Sequence, residues 1–143
     1  MKNLLPFLLL VISLQSFGQT KSKKPHFDKS KIAFIYYDQS RIFKNATQAN
    51  LNEIELLEVE KILKKCIAES KISINVNKYY RQYIVVKNDK GEKEIWLNCF
   101  CNVSNLNWKK EVIHVSDGGN CYFNLKINLS LKTCYNLIVN GEA

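Results

Sequence analysis

The sequence predicts an α+β domain, with one amphipathic helix packed on a curved antiparallel sheet in the order β-α-β-β-β-β-β. Two observations support this fold class. Apolar and polar residues alternate within residues 92–102 and 120–129, a pattern typical of strands with one buried and one wetter face. Before them, between residues 53 and 70, apolar residues recur at helical spacing. One helix among several strands indicates a helix covering one face of the sheet.

The N-terminal segment has the pattern of a secretory signal peptide over residues 1–18. Lys2 supplies a positive start, a short apolar run follows, and small residues stand at 16–18. The run is too short for a stable membrane span, so we expect an exported mature chain, periplasmic or extracellular, without a transmembrane segment. Residues 19–30 have the composition of a basic, flexible tether. Residues 31–143 then form a single domain.

The first elements of this domain are a strand and the helix. Residues 31–37 are rich in β-branched and aromatic side chains and predict a short strand. Asn52 and Glu55 have the spacing of a capping box, so the helix is expected to begin at residue 53 and to end near residue 70. Its apolar stripe is formed by the following residues: Leu56, Val59, Ile62, Leu63, Cys66 and Ile67.

The rest of the chain predicts strands at residues 79–87, 92–102, 111–115, 120–129 and 133–140. Turn residues at 88–91 favour a hairpin between the first two of these. Asp117, Gly118, Gly119 and Asn120 favour a second hairpin.

Residues 117–143, with DGGNCYFNLKINL and NLIVNGEA, resemble the ending of small exported bacterial proteins of uncharacterised function. The outline of the elements also resembles cystatin-like and NTF2-like rolls. These resemblances imply a fold and no particular activity.

Five cysteines in an exported chain predict disulfides and one remaining thiol. By strict alternation, Cys99, Cys101 and Cys121 share the core face that Cys66 of the helix also points at. We therefore expect pairing among these four residues, with three pairings open, and Cys134 as the odd thiol. A thiolate metal site formed by the same four residues is the alternative. Their single positions within elements, without CxxC spacing, favour disulfides, and no cofactor is predicted.

The formal charge of +8 is compatible with anionic partners, but a lysine-rich solvated surface is the simpler interpretation and nucleic acid is not the expected partner. His26 and His114 could serve as acid and base in a small secreted hydrolase or nuclease. Because His26 lies in the predicted tether, nothing places it near His114. The sequence therefore does not support an enzyme.

The wetter face of the sheet carries aromatic residues interleaved with asparagine and lysine. Its candidate ligand-binding residues are Trp96, Asn98, Phe100, Tyr122, Asn124 and Lys126. Tyr83 would join them if Ile84 and Val86 faced inward. One interpretation is a concave surface that binds a small molecule, glycan or peptide. The other is a set of cross-strand pairs covered by the 102–110 link with Trp108. The leading hypothesis is a non-enzymatic binding module of unknown ligand and open oligomeric state.

Overall fold

The computed structural model describes residues 28–38, 41–103 and 107–141. The predicted signal peptide and residues 19–27 of the predicted tether lie outside them. The described elements are β1 (Ile32–Phe34), β2 (Thr47–Gln48), α1 (Glu53–Glu69), β3 (Tyr80–Lys87), β4 (Lys93–Phe100), β5 (Tyr122–Asn128) and β6 (Thr133–Val139). One helix packs against a mixed, mostly antiparallel sheet of six strands, so the α+β class is confirmed. Within the described residues, no helix is long and apolar enough to cross a membrane.

The strand order is β1-β3-β4-β5-β6, and β2 pairs with β3 beside β1. Strands β3 to β6 are antiparallel neighbours, and the predicted hairpin at residues 88–91 joins β3 to β4. β1 instead runs parallel to β3. The chain leaves β1, crosses through α1 and returns to the neighbouring position, and such a crossover produces a parallel pair.

The helix follows the sequence prediction closely because its signals are local. The Glu55 N–H donates to Asn52 Oδ1 at 2.9 Å, and the Asn52 N–H donates to Glu55 Oε2 at 2.9 Å. These two bonds form the predicted capping box, which satisfies two otherwise unpaired donors. All six residues of the predicted stripe are buried against the sheet.

The central strands β3 and β4 are buried on both faces, and each face of the sheet has its own core. The core under α1 contains alternate residues of the central strands, namely Tyr83, Val85, Ile95, Leu97, Cys99, Phe123, Leu125 and Ile127. The opposite core contains Ile84, Val86, Trp96 and Phe100 together with Ala33, Ile35, Tyr37, Phe43 and Trp108 from outside the central strands. Tyr83 therefore faces the helix and does not join the wetter face.

The predicted strand at 111–115 and the second hairpin are wrong. No strand forms there, and β5 is preceded by a 3-10 turn at Gly119–Cys121. The backbone of this segment bonds to side chains of the sheet instead of to a partner strand: the Ile113 N–H donates to Gln82 Oε1 at 3.0 Å, and its carbonyl accepts from Asn98 Nδ2 at 2.7 Å. Gly119 has a positive φ and donates its N–H to the Gly141 carbonyl at 2.9 Å.

The two disulfides join Cys66 to Cys134 and Cys101 to Cys121. Cys99 is the free, fully buried thiol, so the expectation that Cys134 is the odd one is wrong. The cause is an irregularity of β6, in which the pairing with β5 shifts between Asn124 and Lys126 and Asn136 adopts a positive φ of 52°. A bulge of this kind inserts one residue and reverses the alternation. Cys134 thereby joins the helix-side core.

The position of Cys101 differs for a simpler reason. β4 ends at Phe100, so Cys101 lies beyond the sheet, where it is exposed. Its N–H donates to the Cys121 carbonyl at 3.0 Å, and the bridge between the two side chains closes the segment that precedes β5. Cys99, opposite Arg81 and Phe123 in the middle of the sheet, has no cysteine partner.

Candidate functional site

The six predicted ligand-binding residues share one face of the sheet, as the alternation predicts. They form three cross-strand pairs: Trp96 with Lys126, Asn98 with Asn124, and Phe100 with Tyr122. Side chains directly opposite one another in an antiparallel pair are close enough to interact.

This face is not an open surface. Trp96 is only 8% exposed and Phe100 is fully buried. Phe100 packs edge-to-face on Trp108, with ring centroids 6.0 Å apart, and Trp108 also contacts the ring of Tyr80. The cover by the link with Trp108, weighed as an alternative, is therefore present. A ligand cannot stack on Trp96 or Phe100 in this arrangement.

Two buried amides hold this cover in place. Gln82 Nε2 donates to the carbonyls of Trp108 and Glu111, both at 2.6 Å. Asn98 Nδ2 donates to Gln82 Oε1 at 3.0 Å and to the Ile113 carbonyl. Gln82 and Asn98 are cross-strand neighbours in the β3–β4 pair. Burying amides is favourable only when their hydrogen bonds are made, so this pair specifies where residues 108–113 lie.

The other predicted residues, Tyr122, Asn124 and Lys126, are half-buried. Lys126 Nζ lies 4.6 Å from the centroid of the Phe43 ring and donates to the Ile42 carbonyl. Desolvation lowers the pKa of Lys126. Tyr122 packs so closely on Gly118 that a Cβ there would lie 2.8 Å from its ring, which, with the φ of 97°, explains the glycine.

Beside this covered face lies a cleft of about 710 Å³, which we call the Ile84 cleft. Its apolar lining consists of Ile35, Ile42, Ile84 and Val112. Its polar and charged lining consists of Tyr36, Asp38, Arg41, Lys110, Glu111 and His114. The two walls are the segment that continues β1 and the segment held by Gln82 and Asn98. A volume of this size is typical of clefts that take small organic ligands.

Most charged side chains of the Ile84 cleft form no ion pair with a described residue. Neither Arg41, Lys110 nor Asp38 forms an ion pair with a described residue. Glu111 Oε1 accepts a hydrogen bond from Asn107 Nδ2 at 3.1 Å. Both signs of charge therefore stand above an apolar lining, an arrangement that can orient a ligand carrying polar groups on an apolar body.

The four-thiolate metal site weighed from the sequence does not form here, because Cys66, Cys101 and Cys121 are in disulfides. Across residues 28–38, 41–103 and 107–141, no three His, Cys, Asp or Glu side chains are grouped so that they could hold a metal ion. Of the two histidines, His26 lies outside the described residues, and His114 lines the Ile84 cleft.

Sequence reasoning missed Gln82 and most of the Ile84 cleft. A glutamine in the middle of a strand of aromatic and β-branched residues was the available signal for Gln82. Arg41 and Lys110 lie in links without a repeating pattern, so the sequence carried no signal that they line one cleft.

No protein-family model, curated protein or solved structure matches this chain. The resemblance of the C-terminal segment to small exported bacterial proteins, and of the outline to cystatin-like and NTF2-like rolls, therefore stays a prediction.

Proposed function

We propose that this protein is an exported, non-enzymatic binding module that takes its ligand in the Ile84 cleft. The observation that carries the proposal is the cleft itself: an apolar lining, formed partly by a central strand, under a rim of charges that form no ion pair with a described residue. The two disulfides support export, since such bridges persist in oxidising compartments. The signal-peptide pattern of residues 1–18 supports it independently.

The proposed binding site is therefore not the covered face of Trp96 and Phe100 but the Ile84 cleft beside it. The candidate ligand classes stay those expected from the sequence: a small molecule, a glycan or a peptide. Tyr36 offers an exposed ring for stacking, while Arg41 and Lys110 offer charge-assisted hydrogen bonds. Binding energy would come from desolvation of the apolar lining, and orientation from the rim.

The test is a ligand screen by NMR on the oxidised, isotope-labelled mature chain. The probes are short peptides, mono- and disaccharides, nucleotides and aromatic carboxylates. Binding of each probe is measured by the chemical-shift changes of the protein's backbone amides. We expect at least one class to shift amides around Ile84, Val112 and His114. Val112→Trp, which fills the cleft, should abolish those shifts. The matched control Leu131→Trp adds the same ring at an exposed position outside the cleft and should leave them unchanged.

Two outcomes would overturn the proposal. In one, no probe class shifts the cleft amides. In the other, a probe binds Val112→Trp as tightly as the unaltered chain, so that its site lies elsewhere. Near-UV circular dichroism of both variants checks that the packing around Trp96 and Trp108 is retained.

The hydrolase alternative has one specific observation in its favour: His114 lies in the same cleft as the carboxylates of Asp38 and Glu111. An imidazole near carboxylates is a common acid–base arrangement. A ligand that is turned over by the unaltered chain and bound but not turned over by His114→Ala would favour this second candidate. Binding without turnover in both would remove it.

A further inference from the structure

The two edges of the sheet are unequal. The outer edge of β6 is interrupted by the bulge at Asn136. A bulge of this kind stops an edge strand from pairing with another chain. A lysine precedes each edge strand, Lys31 before β1 and Lys132 before β6, but the register of β1 with β3 is continuous and contains no bulge. The segment that begins with β1, residues 32–37, reads Ile-Ala-Phe-Ile-Tyr-Tyr, without charge, proline or glycine.

The backbone of this segment presents outward amides that form no hydrogen bond with the part of the chain that the structure describes. The Ile35 N–H donates to the Tyr83 carbonyl at 2.9 Å, and the Tyr37 N–H donates to Gln48 Oε1 at 2.7 Å. Successive amides of an extended chain point in opposite directions. The amides of Phe34 and Tyr36 therefore point away from β3, towards an edge that no described strand covers.

A cleft lies against each side of this edge. Ile35 and Tyr36 line the Ile84 cleft. Ile32 and Phe34 line a second cleft of about 300 Å³ on the helix side, which we call the Leu51 cleft. Its other walls are Lys29, Leu51, Asn52, Glu53 and Leu56. Side chains of an added strand would point alternately to the two faces of the sheet, where these clefts lie.

Two exposed aromatic rings on this edge, those of Phe34 and Tyr36, could also pack against an added strand. Phe34 is 51% exposed and Tyr36 is 74% exposed, although both belong to a segment whose other side chains are mainly buried. An added strand would cover both rings as cross-strand neighbours. Charges of both signs border the edge, at Asp38 and Arg41 on one side and in the Lys29–Glu53 pair on the other.

We propose that the outer edge of β1 binds an extended peptide segment of another protein, which adds a strand to the sheet and places alternate apolar side chains in the Ile84 and Leu51 clefts. The proposal rests on the proposed function, since it names the partner class of the same cleft. A second copy of this chain is the weaker occupant. Residues 32–37 span roughly 20 Å, an edge too short to supply the ~800 Å² per partner of a standard stable interface.

The experiment uses octapeptides selected from a random display library against the oxidised mature chain, then synthesised and measured by calorimetry. Each peptide is also made with N-methyl groups at every second residue, in both phases. In a strand pairing, one phase blocks hydrogen bonds to β1 and the other does not. We expect a loss of about tenfold or more in one phase only.

Two substitutions at Tyr36 test whether the outward N–H of this residue contributes to peptide binding. Tyr36→Pro removes the outward N–H, and proline is tolerated on a strand where the N–H faces solvent. Tyr36→Ala removes the same ring and keeps the N–H. We expect Tyr36→Pro to bind at least about tenfold more weakly than Tyr36→Ala. Should Tyr36→Pro fail to fold, the N-methyl comparison on the unaltered chain decides alone.

Three results would overturn the inference: no octapeptide binds, the two N-methyl phases weaken binding equally, or light scattering shows a dimer that Tyr36→Pro dissociates. The last result would make a second copy the occupant. The Val112→Trp variant tests the proposed function separately. If Val112→Trp no longer binds a small ligand and the two N-methyl phases bind equally, the Ile84 cleft is a ligand site but the edge of β1 does not bind a peptide strand.

Discussion

The buried charges under the helix provide a sharp prediction about stability. Glu60 and Arg81 are 4% and 2% exposed, and Glu60 Oε1 lies 3.1 Å from Arg81 Nε. The Nε–H does not point at that oxygen well enough for a hydrogen bond, so the contact is a charge pair. The Tyr83 hydroxyl donates to the same carboxylate oxygen. Arg81 Nη1 donates to the Val76 carbonyl at 2.7 Å and to the Tyr79 carbonyl at 3.3 Å.

Arg81→Met should remove the cation and leave the Glu60 carboxylate buried without a counter-charge. Losing one partner of a buried ion pair costs about 3–5 kcal/mol, a large part of the 5–15 kcal/mol that stabilises a typical domain. The matched control is the triple variant Glu60→Leu, Arg81→Met and Tyr83→Phe, which replaces the whole polar cluster by apolar groups. It should lie within about 2 kcal/mol of the unaltered chain, because no buried charge is left unpaired.

The assay is equilibrium unfolding in urea with intact disulfides, followed by tryptophan fluorescence. Trp96 and Trp108 are both buried in the second core and report its loss. A cost below about 1 kcal/mol for Arg81→Met would show that the unpaired Glu60 carboxylate is not costly. A triple variant as unstable as the single variant would show that the polar cluster is stabilising as a unit, and would also contradict the prediction.

Three further predictions concern the cysteines and tyrosines. The double variant Cys66→Ala and Cys134→Ala removes a bridge across 68 residues and should cost about 2–4 kcal/mol in the same unfolding assay; mass-spectrometric mapping that finds Cys99 in a bridge would contradict the pairing. Burial raises the pKa of the Cys99 thiol, so iodoacetamide at about pH 8 should modify it only in denaturant, and rapid alkylation of the native chain would show that it is accessible. Burial also raises the pKa of Tyr83 well above 10.0. Because the unfolded chain ionises at lower pH, the contribution of Tyr83 to the free energy of unfolding is complete below pH 10.0 and is lost as the pH rises beyond it. Tyr83→Phe should flatten this alkaline loss of stability, and an unchanged dependence on pH would show that Tyr83 does not cause it.

The sequence predicts the helix and the faces of the central strands well, because their signals are local. The capping box at Asn52 and Glu55 depends on residues within one turn. The alternation along β4 and β5 places Ile95 and Trp96 on the correct opposite faces. The parallel pairing of β1 with β3 is not local and depends on how the whole chain crosses the sheet.

The core on the face of the sheet opposite α1 could not be predicted from the alternation of β4 and β5. The residues that bury Trp96 and Phe100 come from two distant segments, at 33–43 and 108–113, and neither has a strand or helix period throughout. The predicted role of Trp108 as a cover was available from the sequence. The amides that fix this cover, Gln82 and Asn98, were visible only as polar residues in otherwise apolar strands.

The assignment of Cys134 as the odd thiol is wrong because of a single backbone feature. Strict alternation assigned Cys134 to the wetter side, and the bulge at Asn136 moves it to the helix side. An asparagine tolerates a positive φ better than most residues, but its presence in a strand does not by itself predict a bulge. The same bulge distinguishes the protected β6 edge from the open β1 edge.

We propose above that this chain binds its ligand in the Ile84 cleft. The most direct measurement is a crystal structure of the oxidised mature chain with a ligand chosen from the NMR screen. We expect ligand density between Ile84 and Val112, with a polar group of the ligand in contact with Arg41 or Lys110. Density at any other place on the molecule, with the Ile84 cleft occupied by solvent, would contradict the proposal.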